Sequence, residues 1–315
     1  MRLSAGRKST REAYGEALRD LGASRDFVVL DADLSSSTRT ELFARAHPDR
    51  FIDVGASEQN MFAVAAGMAY MGRVVFASTF AVFVVKAWDV LRIIAHDRLD
   101  VRVGASHGGL SNGPDGWSHQ SVEDVAAMRS LPNFRVVVPA DAAEARAVVE
   151  AAAGRGGPWY IRLSKLEVPS VHGEGLRFEP GRWIQLADGE DVAILAYGVM
   201  VHEALSAASA LRSRGISAAV VDAHTVKPLD SGLLESLARG TGAIVTAEDA
   251  SVIGGLGGAV AEELASRYPV PVELVGIRDS FGTSGETRAL YRAYGLTADA
   301  ITSAAERAIS RRGAG

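Results

Sequence analysis

Apolar positions come in two textures along this 315-residue chain: short, near-continuous runs, and longer stretches with apolar residues at helical spacing. Runs at Asp26–Asp31 (D-F-V-V-L-D), Phe51–Val54, Val74–Ser78, Val101–Ala105, Arg135–Pro139 and Trp159–Leu163 predict strands. The intervening stretches predict helices at Glu58–Met71, Phe80–His96, Val122–Leu131 and Ala142–Ala153. An earlier helix opens at Ser9-Thr10-Arg11-Glu12, which has capping-box spacing, and runs to about Gly22. Strands that are apolar throughout, rather than alternating, are buried on both faces. They predict a mainly parallel sheet covered by helices.

After Ser164 the pattern lapses. Lys165 to Glu190 carries Pro169, Pro180 and several glycines without a clear period, as a segment crossing between domains would. A second alternation follows. It predicts strands at Val192–Tyr197, Ile216–Asp222, Ala243–Ala247 and Val272–Ile277, with helices at Val201–Arg214, Leu229–Ala238 and Leu256–Tyr268. The expected fold class is α/β: two successive domains with mainly parallel sheets covered by helices on both faces. Residues 1–165 form the first, 166–190 the linker and 191–315 the second.

Composition narrows the function classes. With 48% hydrophobic and 23% charged residues the chain can bury a full core, and a net charge of -5 argues against nucleic-acid or anionic-membrane partners. No apolar run approaches the roughly 20 residues of a membrane span. The start M-R-L-S-A-G-R-K lacks the apolar part of a secretory signal, so a soluble cytoplasmic protein is expected. Zero cysteines exclude disulfides, thiolate metal sites and a cysteine nucleophile.

Two segments carry the chemistry. V-G-A-S-E-Q-N-M (54–61) sets Glu58 at the start of an apolar helix, where a carboxylate either serves the helix N–H groups or has a functional partner. S-H-G-G-L-S-N-G-P-D-G-W-S-H-Q (106–120) places His107, Asp115 and His119 in a loop too rich in Gly, Ser, Asn and Pro for regular structure. That trio suits proton transfer, a divalent ion, or polar satisfaction of the loop. No second carboxylate cluster accompanies it, and no metal ligand is assigned. Phe80 and Phe83, three apart, fit ordinary core as bare sequence. Gly254–Gly258 (G-G-L-G-G) resembles a phosphate-binding turn but lacks G-x-G-x-x-G spacing, which also removes a Rossmann dehydrogenase.

The set S-T-R-E, D-A-D-L-S-S-S, G-A-S-E-Q-N-M, S-T-F-A-V-F, the His107–His119 loop, L-S-K and V-D-A-H-T-V-K-P-L-D resembles the C-terminal half of transketolase, in order and spacing, from about Ser9 to Ala308. The resemblance implies a pyrimidine-binding domain followed by the family's C-terminal domain, and thiamine diphosphate as cofactor. The family's G-D-G…N element for metal and diphosphate has no counterpart here; Asp188-Gly189 is not preceded by Gly. An N-terminal partner subunit is therefore implied, holding most of the Mg2+ (or Ca2+) ligands, in an α2β2 assembly.

By the same resemblance, Glu58 contacts the aminopyrimidine. A carboxyl group on that ring nitrogen favours the tautomer that removes the thiazolium carbon proton. Phe80 and Phe83 wall the ring, and Asp33 lies near the cofactor. His107, Asp115 and His119 line the sugar channel, with the two histidines assisting proton transfer. Arg11, Ser37 and His107 match an anchor for the acceptor's phosphate. Two positions depart from the common pattern: Lys165 replaces that anchor's arginine, and Lys86 stands where a tyrosine is frequent. The implied function is transfer of a two-carbon ketol unit from a ketose (phosphate) to an aldose (phosphate). The alternatives are the β-type subunit of a 2-oxo acid dehydrogenase, a deoxyxylulose-phosphate synthase-like half enzyme, or a non-catalytic scaffold or regulatory subunit.

Overall fold

The structure, a computed structural model, describes residues 6–173 and 175–312. Its first sheet has seven strands in the spatial order Thr225–Lys227, Arg135–Val137, Trp159–Arg162, Val101–Ser106, Val75–Phe80, Val28–Asp31, Phe51–Asp53. All pair in parallel except Thr225–Lys227, an antiparallel edge donated by the second half of the chain. The second sheet runs Val272–Ile277, Ile244–Ser251, Val192–Ala196, Ala218–Asp222, Ile184–Ala187, again parallel apart from its last strand. The apolar runs lie at the centres of these sheets. Every residue of Val75–Phe80, Val101–Ser106 and Val192–Ala196 is buried, as strands covered on both faces require.

Three features differ from the sequence expectation. The segment read as a linker contributes Ile184–Ala187 to the second sheet, and Val168–Pro169 pairs with Arg7–Lys8, so two short parts of it are held by backbone hydrogen bonds. The helix expected over Phe80–His96 is interrupted. Phe80 ends a strand, Ala81–Val84 is one helical turn, Val85–Ala87 tightens to a 3-10 turn, and a helix resumes over Trp88–His96. The capping box is half made: Ser9 Oγ accepts from Glu12 N at 3.3 Å, but the Glu12 carboxylate pairs with Arg39 instead of returning to the cap.

The two domains are joined through their interiors. One apolar cluster runs from Leu30, Val103 and Tyr160 through Trp183 to Tyr197, Val221 and Leu256. Beside it lies a buried polar joint. Arg162 donates to Asp124 at 2.8 Å and across the domain boundary to Asp249 at 2.6 Å, with both ion pairs almost fully shielded from water. The Tyr160 and Tyr291 hydroxyls donate to the same two carboxylates. Burial raises both phenol pKa values, keeping them protonated as donors. Among the described residues no helix is long and apolar enough to cross a membrane.

Candidate active site

Glu58 is the first residue of the helix Glu58–Tyr70 and is only 7% exposed. Its two carboxylate oxygens lie 3.3 and 3.4 Å from Lys86 Nζ, and that ammonium also sits 4.1 Å from the centre of the Phe83 ring. The break in the Phe80–His96 segment makes this possible. The Lys86 carbonyl, in the 3-10 turn, accepts from Gln59 Nε2 at 2.8 Å, tying the turn to the start of the Glu58 helix.

The strand end at Phe80 delivers an aromatic wall. Phe80 and Phe83 stack with centroids 5.6 Å apart and planes inclined by 11°. His107 stacks on Phe80 at 3.9 Å, and His119 meets both phenyl rings edge-on. Residues separated by nearly forty positions in the sequence thus form one surface of two flat hydrophobes and two imidazoles. Among the described residues, His107, Asp115 and His119 do not converge as a metal-holding group. Asp115 is instead exposed and accepts from Asn112 Nδ2 at 2.7 Å.

The loop owes its position to glycine. A Cβ on Gly108 would lie 2.8 Å from the Arg162 guanidinium, and one on Gly109, at φ +63°, would lie 2.4 Å from Asp249. The loop therefore rests directly on the polar joint between domains. His107 itself adopts φ 60°, an uncommon conformation for a residue with a side chain, while Ser106 Oγ lies 2.6 Å from its Nδ1. Burial, reinforced by the charges of Arg11, Lys165 and His119, pushes the His107 pKa down to about 3. In the free chain His107 is thus a neutral imidazole throughout the physiological range, able to share hydrogen bonds but not to store a proton.

The residues matched to a phosphate anchor gather on the same side. Arg11 Nη1 donates to the Ser37 carbonyl at 2.7 Å, and its buried Nε has no partner. Lys165 Nζ donates to Asn112 Oδ1 at 3.0 Å, and both cations are near enough to depress His107. Asp33 is exposed at φ 62°, its amide donating to Asp53; among the described residues no hydrogen bond or ion pair ties it to the aromatic wall. The glycine-rich turn before Leu256 is already occupied. Glu248 accepts from the amides of Leu256 and Gly257, each at 2.9 Å, so the chain's own carboxylate fills that helix N-terminus.

A shielded carboxylate beside a stacked aromatic pair fits a planar heterocycle with a hydrogen-bonding ring nitrogen, as in the aminopyrimidine of thiamine diphosphate. The fold and this site define a half-chain of the thiamine diphosphate-dependent α/β type. Residues 7–170 match the transketolase pyrimidine binding domain, and 181–301 match the transketolase C-terminal domain. The chain belongs to the transketolase family and comprises its pyrimidine-binding and C-terminal domains. It is 42% identical over 307 residues to a putative transketolase C-terminal section of Methanocaldococcus jannaschii, covering 96% of each chain. Human transketolase is 37% identical over 308 residues, but these span only 49% of its length. A solved structure described as a split gene transketolase, inactive β4 tetramer, is 50% identical with a TM-score of 0.89, covering 98% of this chain and 100% of that one.

Proposed function

We propose that this chain is the C-terminal subunit of a split transketolase of the cytoplasm. With an N-terminal subunit in an α2β2 assembly, it would transfer a two-carbon ketol unit from a ketose to an aldose. The observation that carries this reading is Glu58, shielded at a helix start and linked through Lys86 to the Phe83 ring of the aromatic wall. Near-complete coverage of two half-length relatives supports it. In this reading residues 1–165 and 191–315 are the working units, and 166–190 aligns them. Thiamine diphosphate, when bound, supplies the carbanion chemistry, with Mg2+ and the diphosphate held mainly by the partner. The chain's own residues have separate tasks. Glu58 holds a proton at the pyrimidine ring, the two phenylalanines exclude water, and Asp33 borders the cofactor. His107, His119 and Asp115 orient the sugar hydroxyls, while Arg11, Ser37 and Lys165 hold the far end of the acceptor.

Alone, the chain is expected to bind thiamine diphosphate weakly and to show no turnover, gaining both on addition of the partner. Tight, magnesium-dependent binding by the isolated chain in calorimetry would overturn the reading. The apolar Glu58–Tyr70 helix exposes Ala63, Gly67 and Tyr70 at helical spacing, with Met71 83% exposed just beyond. Self-association of the isolated chain through this stripe is expected. The inactive β4 tetramer named for the solved relative accords with that expectation.

We infer a phosphorylated acceptor from the unpartnered Arg11 Nε beside Ser37 and Lys165. Lys165→Arg then adds a second charge-assisted hydrogen bond and lowers the acceptor KM by up to about tenfold. Equal kcat/KM for an aldose and its phosphate in the reconstituted pair would refute the preference.

A further inference from the structure

Away from the aromatic wall, a second group of ionisable side chains is buried where the two domains and the crossing segment meet. Glu144 comes from the first turn of the helix Ala142–Gly154, His172 from the crossing segment, and Asp222 from the end of the strand Ala218–Asp222. Glu144 and Asp222 are 0% exposed, and the His172 side chain is 3% exposed. His172 Nε2 lies 2.8 Å from Asp222 Oδ2 and 4.0 Å from Glu144 Oε2, and one donor atom from each residue falls within 4.8 Å of the others.

Three observations make this more than a hydrogen-bonded knot. First, it is short of positive charge. A third carboxylate, Asp141, also 0% exposed, adjoins it but is served by the amides of Glu144, Val171 and His172. Among the described residues, His172 is the only ion-pair partner of Glu144 and Asp222, and no lysine or arginine reaches either. Second, Glu144 Oε1 and Asp222 Oδ1 are buried without any hydrogen-bond partner, leaving lone pairs that water cannot serve. Third, the spacing suits an ion. Donors about 2.0–2.1 Å from a tetrahedral cation are about 3.3 Å apart, and the observed 2.8 and 4.0 Å bracket that value.

We propose that Glu144, His172 and Asp222 form a structural site for a zinc-class divalent cation that staples the first domain, the crossing segment and the second domain together. One imidazole and two carboxylates are a donor set for zinc or manganese rather than magnesium, which prefers oxygen and water. Two carboxylates and a neutral imidazole around a dication carry no net charge. The unpartnered second oxygens are available to complete the shell by bidentate coordination. Burial raises the pKa of both carboxyl groups.

The test uses the full chain without a histidine tag, purified from zinc-supplemented medium. About one zinc per chain is expected after gel filtration. After chelation, zinc at roughly a hundredfold excess over its Kd should raise the unfolding temperature by about 5 °C, while magnesium has no such effect. The rise should vanish in His172→Gln and in Asp222→Asn. Substoichiometric zinc, or an equal shift in His172→Gln, overturns the site in favour of a metal-free, proton-sharing cluster. If neither variant folds, X-ray absorption on the wild-type zinc decides. One imidazole nitrogen among oxygens supports the proposal; an all-oxygen or multi-imidazole shell overturns it.

Discussion

Glu58→Gln in the reconstituted complex lowers turnover by roughly 3–5 kcal/mol in barrier terms while leaving assembly intact. The amide preserves the shape of the side chain at the helix start but cannot hold a shared proton at a ring nitrogen. The substitution also releases Lys86, whose ammonium lies 3.3 Å from the carboxylate. Loss of that half-exposed ion pair contributes little to stability, so the fold should tolerate the change. Exchange of the cofactor's C2 proton, followed by NMR, is the direct measurement. An unchanged exchange rate in the variant removes Glu58 from the chemistry.

Arg162→Met has the largest expected effect on folding, a loss of about 3–5 kcal/mol in denaturant unfolding. The methionine fills the volume but strands Asp124 and Asp249, each paired with Arg162 and shielded from water. Three further bonds to the joint, from Tyr160, Tyr291 and the Arg162 contact with the Ser121 carbonyl, are lost or weakened. Combining the change with Asp249→Asn should recover part of the loss, since it removes one stranded charge. A destabilisation below about 1 kcal/mol would show that the joint is not held by charge.

The sheet centres were legible because a strand covered on both faces is near-continuously apolar, as Val192–Tyr197 is and as Val101–Ala105 is apart from Arg102, whose guanidinium donates to the Ala152 and Arg155 carbonyls. The Thr225–Lys227 strand was not. Its pairing depends on the Arg135–Val137 edge lying far away in sequence, and three residues carry no period. The interruption at Val85–Ala87 was equally hidden, since V-V-K-A sits comfortably in a helical pattern and only the tertiary contacts of Lys86 reveal the break. The final helix, Ala298–Ser310, could have been found: Ile301, Ala304, Ala305 and Ala308 repeat at helical spacing and all are buried.

The candidate site divides in the same way. Glu58 and the His107–His119 loop stood out because a carboxylate entering an apolar helix and imidazoles in a glycine-rich loop break local rules. Partnerships across long sequence separations left no mark. Arg162 looks like an ordinary strand-end arginine until Asp249, 87 residues on, is placed beside it. The Glu144–His172–Asp222 group is likewise drawn from three unrelated segments, with no ligand spacing to read.

The seven-stranded sheet is completed by a strand from the second domain, and its buried Arg162 finds one of its two counter-charges there. Cutting the polypeptide within 166–190 would leave the first half with an open sheet edge and with Arg162 holding only Asp124 of its two buried carboxylate partners. The two domains are thus one inheritable unit. A gene for such an enzyme can be divided ahead of the first domain, but a division between the two would yield fragments that each lack part of a shared interior.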